Sequence, residues 1–121
     1  MVDLIEPTLK VLRENFGEYK TRSAAWRTNQ LQQCEKGIEE MKNEICEAIF
    51  ADLGRSNNAT ITCELTPCVV SIKHDLKHLK KYMTPIHEET ELMLFPGKTQ
   101  IIYEPLGVCA VYSAWNYPFL T

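Results

Sequence analysis

No stretch of this 121-residue chain approaches the roughly 20 consecutive apolar residues that a membrane-spanning helix needs; the longest uninterrupted run lies around Val108 to Val111. A basic amino-terminal segment followed by an apolar core is also missing. Met1-Val-Asp-Leu-Ile-Glu-Pro therefore gives no sign of a secretory leader, and the cytoplasm is the expected compartment. Positive charge is in deficit, with a net charge of −3 and a pI near 5.6, which argues against nucleic acid or an anionic membrane as partner. The single basic cluster, Lys77-His78-Leu79-Lys80-Lys81, reads as a solvated helix face. No Cys-x-x-Cys pair occurs, and the five cysteines (Cys34, Cys46, Cys63, Cys68 and Cys109) are odd in number, so neither a disulfide framework nor a zinc site is suggested. They read as reduced and mostly buried. The five glycines are too dispersed for a Gly-x-Gly-x-x-Gly phosphate fingerprint. Internal repeats, low-complexity stretches and flexible linkers are likewise absent. What remains, at 45% hydrophobic, is material for one small domain.

Apolar spacing then divides the chain. Leu4, Ile5, Leu9, Leu12 and Phe16 recur in helical steps, with Pro7 tolerable in a first turn and Gly17 suited to the position after the last. Ser23 can cap a long helix from about Ala24 to Leu53, whose stripe is Leu31, Cys34, Ile38, Met41, Ile45, Ile49 and Leu53, with Gly54 ending it. Another stripe, Ile61, Leu65, Val69, Ile72, Leu76, Leu79 and Met83, stops before Pro85. Pro67 interrupts it and leaves two readings open. Either the helix starts there, with Thr66 as cap, or a longer helix from about Asn58 is kinked at the proline. The two stripes are expected to pack as an antiparallel helix pair around the main core, and Asn58-Ala59-Thr60, despite matching a glycosylation acceptor, reads as a polar loop between them.

Past Pro85 the pattern changes. Leu92-Met-Leu-Phe95 and Thr99-Gln-Ile-Ile-Tyr103 flank Pro96-Gly97, a dipeptide suited to a type II turn, so a β-hairpin or two short strands are expected. Val108 to Ala114, bounded by Gly107 and Pro118, suits a strand buried on both faces of a parallel sheet. Asn116 would then lie at the carboxyl end of that strand, where open α/β sheets place ligands, and its amide carries two N–H donors. On residue chemistry alone, a simple turn before Tyr117-Pro118 accounts for Asn116 equally well.

Glu104-Pro105-Leu106-Gly107-Val108 followed by Ala114-Trp115-Asn116-Tyr117-Pro118-Phe119 closely resembles the class 3 type of NAD(P)-dependent aldehyde dehydrogenase. Upstream, Thr21-Arg22, Arg27, Gln30-Leu31, Glu44-Ile45, Ala48 to Leu53 and Glu64 resemble the same family in the expected order, from roughly Leu9 onward. The resemblance implies an α/β fold, of which this chain is an N-terminal fragment: a helical layer made of a short helix and a long antiparallel helix pair, a β-hairpin, and the first strand of a Rossmann-like sheet. It implies that residues 1–85 pack on the cofactor-binding domain, that 86–106 join the oligomerisation region, and that 107–121 open a truncated NAD(P)-binding domain. The implied activity is oxidation of aldehydes to carboxylic acids by thiohemiacetal formation, hydride transfer to NAD or NADP, and thioester hydrolysis. The full-length enzyme would be a homodimer. Asn116 is implied to be the oxyanion-hole donor, and Ala114 and Trp115 to border the nicotinamide. The family's nucleophilic cysteine and general-base glutamate lie well downstream, so these 121 residues alone are expected to be inactive, to bind the dinucleotide very weakly and to aggregate. One departure is that family members carry one more residue between Phe119 and the Leu-Thr pair seen here as Leu120-Thr121.

Other candidates are weaker. Reactive thiolates need cationic neighbours or a helix N-terminus, whereas Cys34 and Cys46 fall on or beside the helical stripe and Cys109 in the expected strand, so none is a nucleophile; Cys63 and Cys68 flank the Pro67 ambiguity. His74 and His78 have the spacing of a metal-binding pair but lack a third ligand, so they read as exposed helix residues and no metal is expected. A rival class, a non-catalytic helical interaction or dimerisation module, would account for the helices but not for the orphan strand.

Overall fold

The structure, a computed structural model, describes residues 5–121. The first helix, α1 (Ile5–Gly17), holds Pro7 in its opening turn, where a missing N–H costs nothing, and includes Gly17 as its last residue. Leu4, expected on the same stripe, lies outside the described residues. The link to the next helix is fastened by the Arg22 guanidinium, which stacks 4.3 Å from the Tyr19 ring centroid and 5.6 Å from that of Phe16. Arg27 adds to it by donating from Nε to the Thr21 carbonyl at 2.9 Å.

Ser23 caps α2 (Ala24–Glu40) as expected, its Oγ accepting the Trp26 N–H at 3.1 Å. The single helix expected over 24–53 is two helices, since Met41, at φ −97° and ψ 9°, separates α2 from α3 (Lys42–Leu53). The ladder nearly bridges the break: Met41 N–H still bonds Gly37 O at 3.0 Å, and Met41 O accepts Ile45 N–H at 2.9 Å. Apolar spacing runs through such a one-residue departure unchanged and so cannot register it. Gly54 ends α3 in the left-handed region at φ 66°, its N–H returning to Phe50 O at 2.8 Å.

Helix α4 (Asn57–Thr60), capped by Ser56, passes through a π-helical turn over Ile61–Leu65 into α5 (Thr66–Tyr82). Of the two readings at Pro67, the longer helix is the observed one, but a widened turn takes the place of a sharp kink. Thr66 is mid-helical rather than a cap, and its N–H reaches back to Ile61 O. The wide turn sits where Pro67 has no N–H to give and its ring would crowd the preceding turn. Lengthwise packing of α2 on α5 makes the core: Ile38, Cys46 and Leu65 are buried, with Ile45, Ile61, Cys68, Val69, Ile72 and Phe119 against them.

The last third of the chain departs from expectation at two places. The antiparallel pair is β1 (Ile86–Glu88) with β2 (Thr99–Ile101), in the register Ile86↔Ile101, His87↔Gln100, Glu88↔Thr99. Leu92–Leu94, expected as a strand, is a 3-10 turn, and Gly97 N–H closes back on Leu94 O at 2.6 Å, which puts Phe95 and Pro96, not Pro96 and Gly97 as expected of a type II turn, at the corners. This apolar run is consumed in turning the chain, and Ile86 to Glu88 serves as the partner strand. Val108 to Ala114 is not a strand in this chain, and Cys109 to Ala114 are exposed rather than buried on two faces. A strand exists only through ladder bonds to a neighbour, and the sheet among the described residues holds β1 and β2 alone.

Candidate active-site turn

Residues 115–120 form a turn rather than the mouth of a sheet, and the helices hold it through one buried carboxylate. Glu64 projects inward from the π-helical turn, and its side chain is 0% exposed. One oxygen, Oε1, pairs with Arg55 Nη1, and Oε2 accepts the backbone N–H groups of Phe119 at 2.9 Å and Leu120 at 3.3 Å. Arg55, two residues past the end of α3 and 21% exposed, donates from Nη2 to the Asn116 carbonyl at 2.6 Å and lies 4.8 Å from the Tyr117 ring centroid. Phe119 packs on the core, and Thr121 Oγ1 donates to Ala114 O at 3.0 Å and Tyr117 O at 2.9 Å. The turn is thus tied by the Arg55–Glu64 ion pair, the five hydrogen bonds just named, and one apolar anchor.

Sequence-predicted site residues are brought together here, on the outer side. Ala114, Trp115 and Asn116 are exposed, Trp115 at 85%. No hydrogen bond among the described residues uses the Asn116 carboxamide, so both its donors are available. The same openness tests the dinucleotide: a nicotinamide against Trp115 and Ala114 would meet one border and no enclosing walls from residues 5–121, so these residues do not by themselves fit the cofactor.

Arg55 was not singled out by the sequence, and Glu64 only through the resemblance. A signal was present, since Glu64 stands three residues after Ile61 and next to Leu65 on an inward-facing stripe, where a carboxylate needs a partner.

The cysteines depart from expectation. Cys46 is buried and Cys68 half-buried, whereas Cys34, Cys63 and Cys109 are exposed. Cys34 sits on the solvent side of its stripe, and Cys109 lost its cover together with the strand. Burial pushes the Cys68 thiol pKa up, with Cys34 and then Glu64 adding to it. Its Sγ lies 4.0 Å from Phe119 O, beneath the turn. His78 is half-buried rather than exposed. Its Nδ1 is 2.8 Å from His74 O, and His74 Nε2 is 3.1 Å from the Tyr82 hydroxyl. Among the described residues no group of three His, Cys, Asp or Glu could hold a metal ion, and no helix is long and apolar enough to cross a membrane.

The sequence pattern of the aldehyde dehydrogenase family matches residues 3–121. Aldehyde dehydrogenase family 3 member H1 of Arabidopsis thaliana is 40% identical over 109 residues, covering 90% of this chain and 22% of that protein. Member I1, the chloroplastic form from the same plant, is 39% identical over 109 residues, covering 90% of this chain and 20% of its own length. The solved structure of Staphylococcus aureus AldH in a substrate-bound state superposes with a TM-score of 0.93 at 31% identity, over 96% of this chain and 25% of that one. The chain spans about a fifth to a quarter of the length of these relatives. Helical layer, two-stranded sheet and closing turn therefore all have their counterparts in one α/β enzyme structure, and this chain belongs to the aldehyde dehydrogenase family.

Proposed function

We propose that these residues are the N-terminal layer of an enzyme that oxidises aldehydes to carboxylic acids with NAD or NADP, and that Asn116 is its oxyanion-hole donor. The observation that carries the reading is a carboxamide with two unspent N–H donors on a turn whose backbone is fastened at the Ala114 and Asn116 carbonyls and the Phe119 and Leu120 N–H groups. When a thiolate adds to an aldehyde, negative charge gathers on the carbonyl oxygen, and one preorganised N–H there lowers the barrier by about 3–4 kcal/mol. The bound dinucleotide would supply the oxidant. Ala114 and Trp115 would border its nicotinamide, while the nucleophilic cysteine and general-base glutamate would come from sequence beyond these residues.

The same reading assigns 1–85 to the layer on the cofactor-binding domain, 86–106 to the oligomerisation region of a homodimer, and 107–121 to the start of the NAD(P)-binding domain. In support, every residue of β1 and β2 is exposed, and a two-stranded ribbon is marginal in water without something to cover it. Five free thiols suit a reducing compartment such as the cytoplasm. The interaction-module reading has less support. Leu92, Met93, Leu106, Val111, Tyr112 and Trp115, the most exposed large apolar residues, lie after the helices and not on their faces.

The test is to tag the gene ahead of Met1 in its own cells, purify the product and assay aldehyde-dependent reduction of NAD and NADP. Turnover is expected, together with a roughly 100- to 1,000-fold lower kcat for Asn116→Ala. A folded product without turnover on any aliphatic or aromatic aldehyde would overturn the activity, and an undiminished Asn116→Ala rate would overturn the role of Asn116. Residues 1–121 expressed alone are expected to produce no NADH.

A further inference from the structure

We infer that Arg55 and Glu64 are positioning residues for Asn116, a paired clasp that fixes where its carboxamide stands; this rests on the proposed oxyanion role of Asn116. Around that side chain, several backbone groups of the turn are held by the helices. The Asn116 carbonyl takes Arg55 Nη2–H at 2.6 Å, the Tyr117 ring lies 4.8 Å from the guanidinium carbon, and Phe119 and Leu120 N–H both end on Glu64 Oε2. The carboxamide itself is left out of this web. That division of labour, a fixed backbone and a free donor, is what electrostatic preorganisation requires, because a donor that must reorient during reaction loses much of its advantage.

Stability alone is a poor explanation for the clasp. A carboxylate with no exposed surface is costly to desolvate, and well-packed apolar residues commonly replace a buried ion pair without loss. What apolar residues cannot do is direct hydrogen bonds. A charged carboxylate accepts backbone N–H bonds about twice as strong as a neutral acceptor would, and the planar guanidinium reaches the carboxylate and the Asn116 carbonyl from two nitrogens of one rigid fork. The pair therefore links α3's end and the π-helical turn to the Asn116 carbonyl and to the backbone three and four residues after it. Glu64 is fully buried and Arg55 is spent on Glu64 and the Asn116 carbonyl, so both act through Asn116.

The experiment uses the tagged natural product with Arg55→Gln, Arg55→Lys, Glu64→Gln and Asn116→Ala. Arg55→Gln and Glu64→Gln should each lower kcat at least tenfold, with the KM for aldehyde and the dinucleotide Kd within about twofold, and Arg55→Lys should recover most of the loss. Combined with Asn116→Ala, Arg55→Gln should cause no further fall, since the clasp would have nothing left to position. Multiplicative losses in the double variant, or a folded Arg55→Gln or Glu64→Gln protein with undiminished kcat, would overturn the inference. If Arg55→Gln does not fold, Glu64→Gln, which keeps the shape and an acceptor oxygen, decides the matter by the same criteria. A separate readout follows the Asn116 side-chain amide by NMR in the tagged natural product, where a dispersed pair of resonances should collapse toward random-coil positions in Glu64→Gln. Should Asn116→Ala itself leave kcat unchanged, the oxyanion reading fails and the NMR arm judges the clasp alone: unaltered amide resonances in Glu64→Gln then refute it.

Discussion

Glu64 and Phe119 stand 55 residues apart in sequence, yet the carboxylate Oε2 of one accepts the backbone N–H of the other at 2.9 Å, in a position where the Glu64 side chain has no exposed surface. Through that bond the helical layer reaches the turn that carries the Trp-Asn pair. Because the second carboxylate oxygen is spent on Arg55, the charge is balanced only while both residues are present.

Removing one member should therefore hurt more than removing both. Arg55→Met leaves Glu64 buried without its counter-charge and is expected to destabilise the fold by about 3 kcal/mol, at the lower end for a broken buried pair because part of Arg55 still meets water. Arg55→Met with Glu64→Leu should recover a good part of that loss while leaving the Phe119 and Leu120 N–H groups without their acceptor. Urea unfolding of the three proteins gives the comparison; a double variant less stable than Arg55→Met alone would contradict it.

Thiol chemistry provides a second check on the same region. Burial, then Cys34, then Glu64 raise the Cys68 pKa, so near neutral pH its thiolate fraction is below that of an ordinary thiol. Iodoacetamide at pH 8 should label Cys34, Cys63 and Cys109 well before Cys68 and Cys46, as followed by peptide mass spectrometry. The sign for stability follows from the direction of the shift. A folded pKa above the unfolded one makes a contribution that is complete below the unfolded value and is lost as pH rises through the folded value. Cys68→Ala should accordingly flatten the fall in Tm between neutral pH and pH 11 relative to the unsubstituted chain, and an unchanged slope would count against the shift.

Where local chemistry decides structure, the sequence was readable: the Ser23 cap, the Gly54 stop and the end of α5 before Pro85 each depend on a residue whose side chain or φ preference suffices by itself. The break at Met41 was hidden because the apolar spacing continues through it. Around Pro67 both open readings missed the π-helical turn, since widening a ladder by one residue leaves no mark in composition. Val108 to Ala114 reads as a strand because its residues suit a sheet, but sheet formation depends on a partner that periodicity within one segment cannot report. The motif at Trp115-Asn116 was legible as a pattern of residues. Its support by Arg55 was not, because the two meet only after the chain has folded across 61 residues.

Thr60 offers a test of packing near the clasp. The residue has 0% exposure, and its Oγ1 has no hydrogen-bond partner among the described residues. An unpaired buried hydroxyl costs about 1–3 kcal/mol, and valine has nearly the same shape and the same β-branched rotamer preference. Thr60→Val should stabilise the protein by about 1 kcal/mol in urea unfolding. A loss of stability would mean that the hydroxyl has a partner in solution.

Gly54 shapes the approach to Arg55, and its substitution isolates a purely conformational cost. At φ 66° the residue occupies the left-handed region, while a Cβ built there would meet nothing within 4 Å. Steric collision is thus excluded, and only the backbone preference remains, about 1–2 kcal/mol for an ordinary L-residue. Gly54→Ala should lower Tm by several degrees, and Gly54→Asn by less, because asparagine tolerates this region better. Since Gly54 N–H also closes α3 on Phe50 O, relaxing the turn would move Arg55 relative to Glu64. Slower labelling of Cys68 than of Cys34 should therefore persist in Gly54→Asn and weaken in Gly54→Ala; equal Tm values for all three proteins would show that the left-handed turn is not maintained in solution.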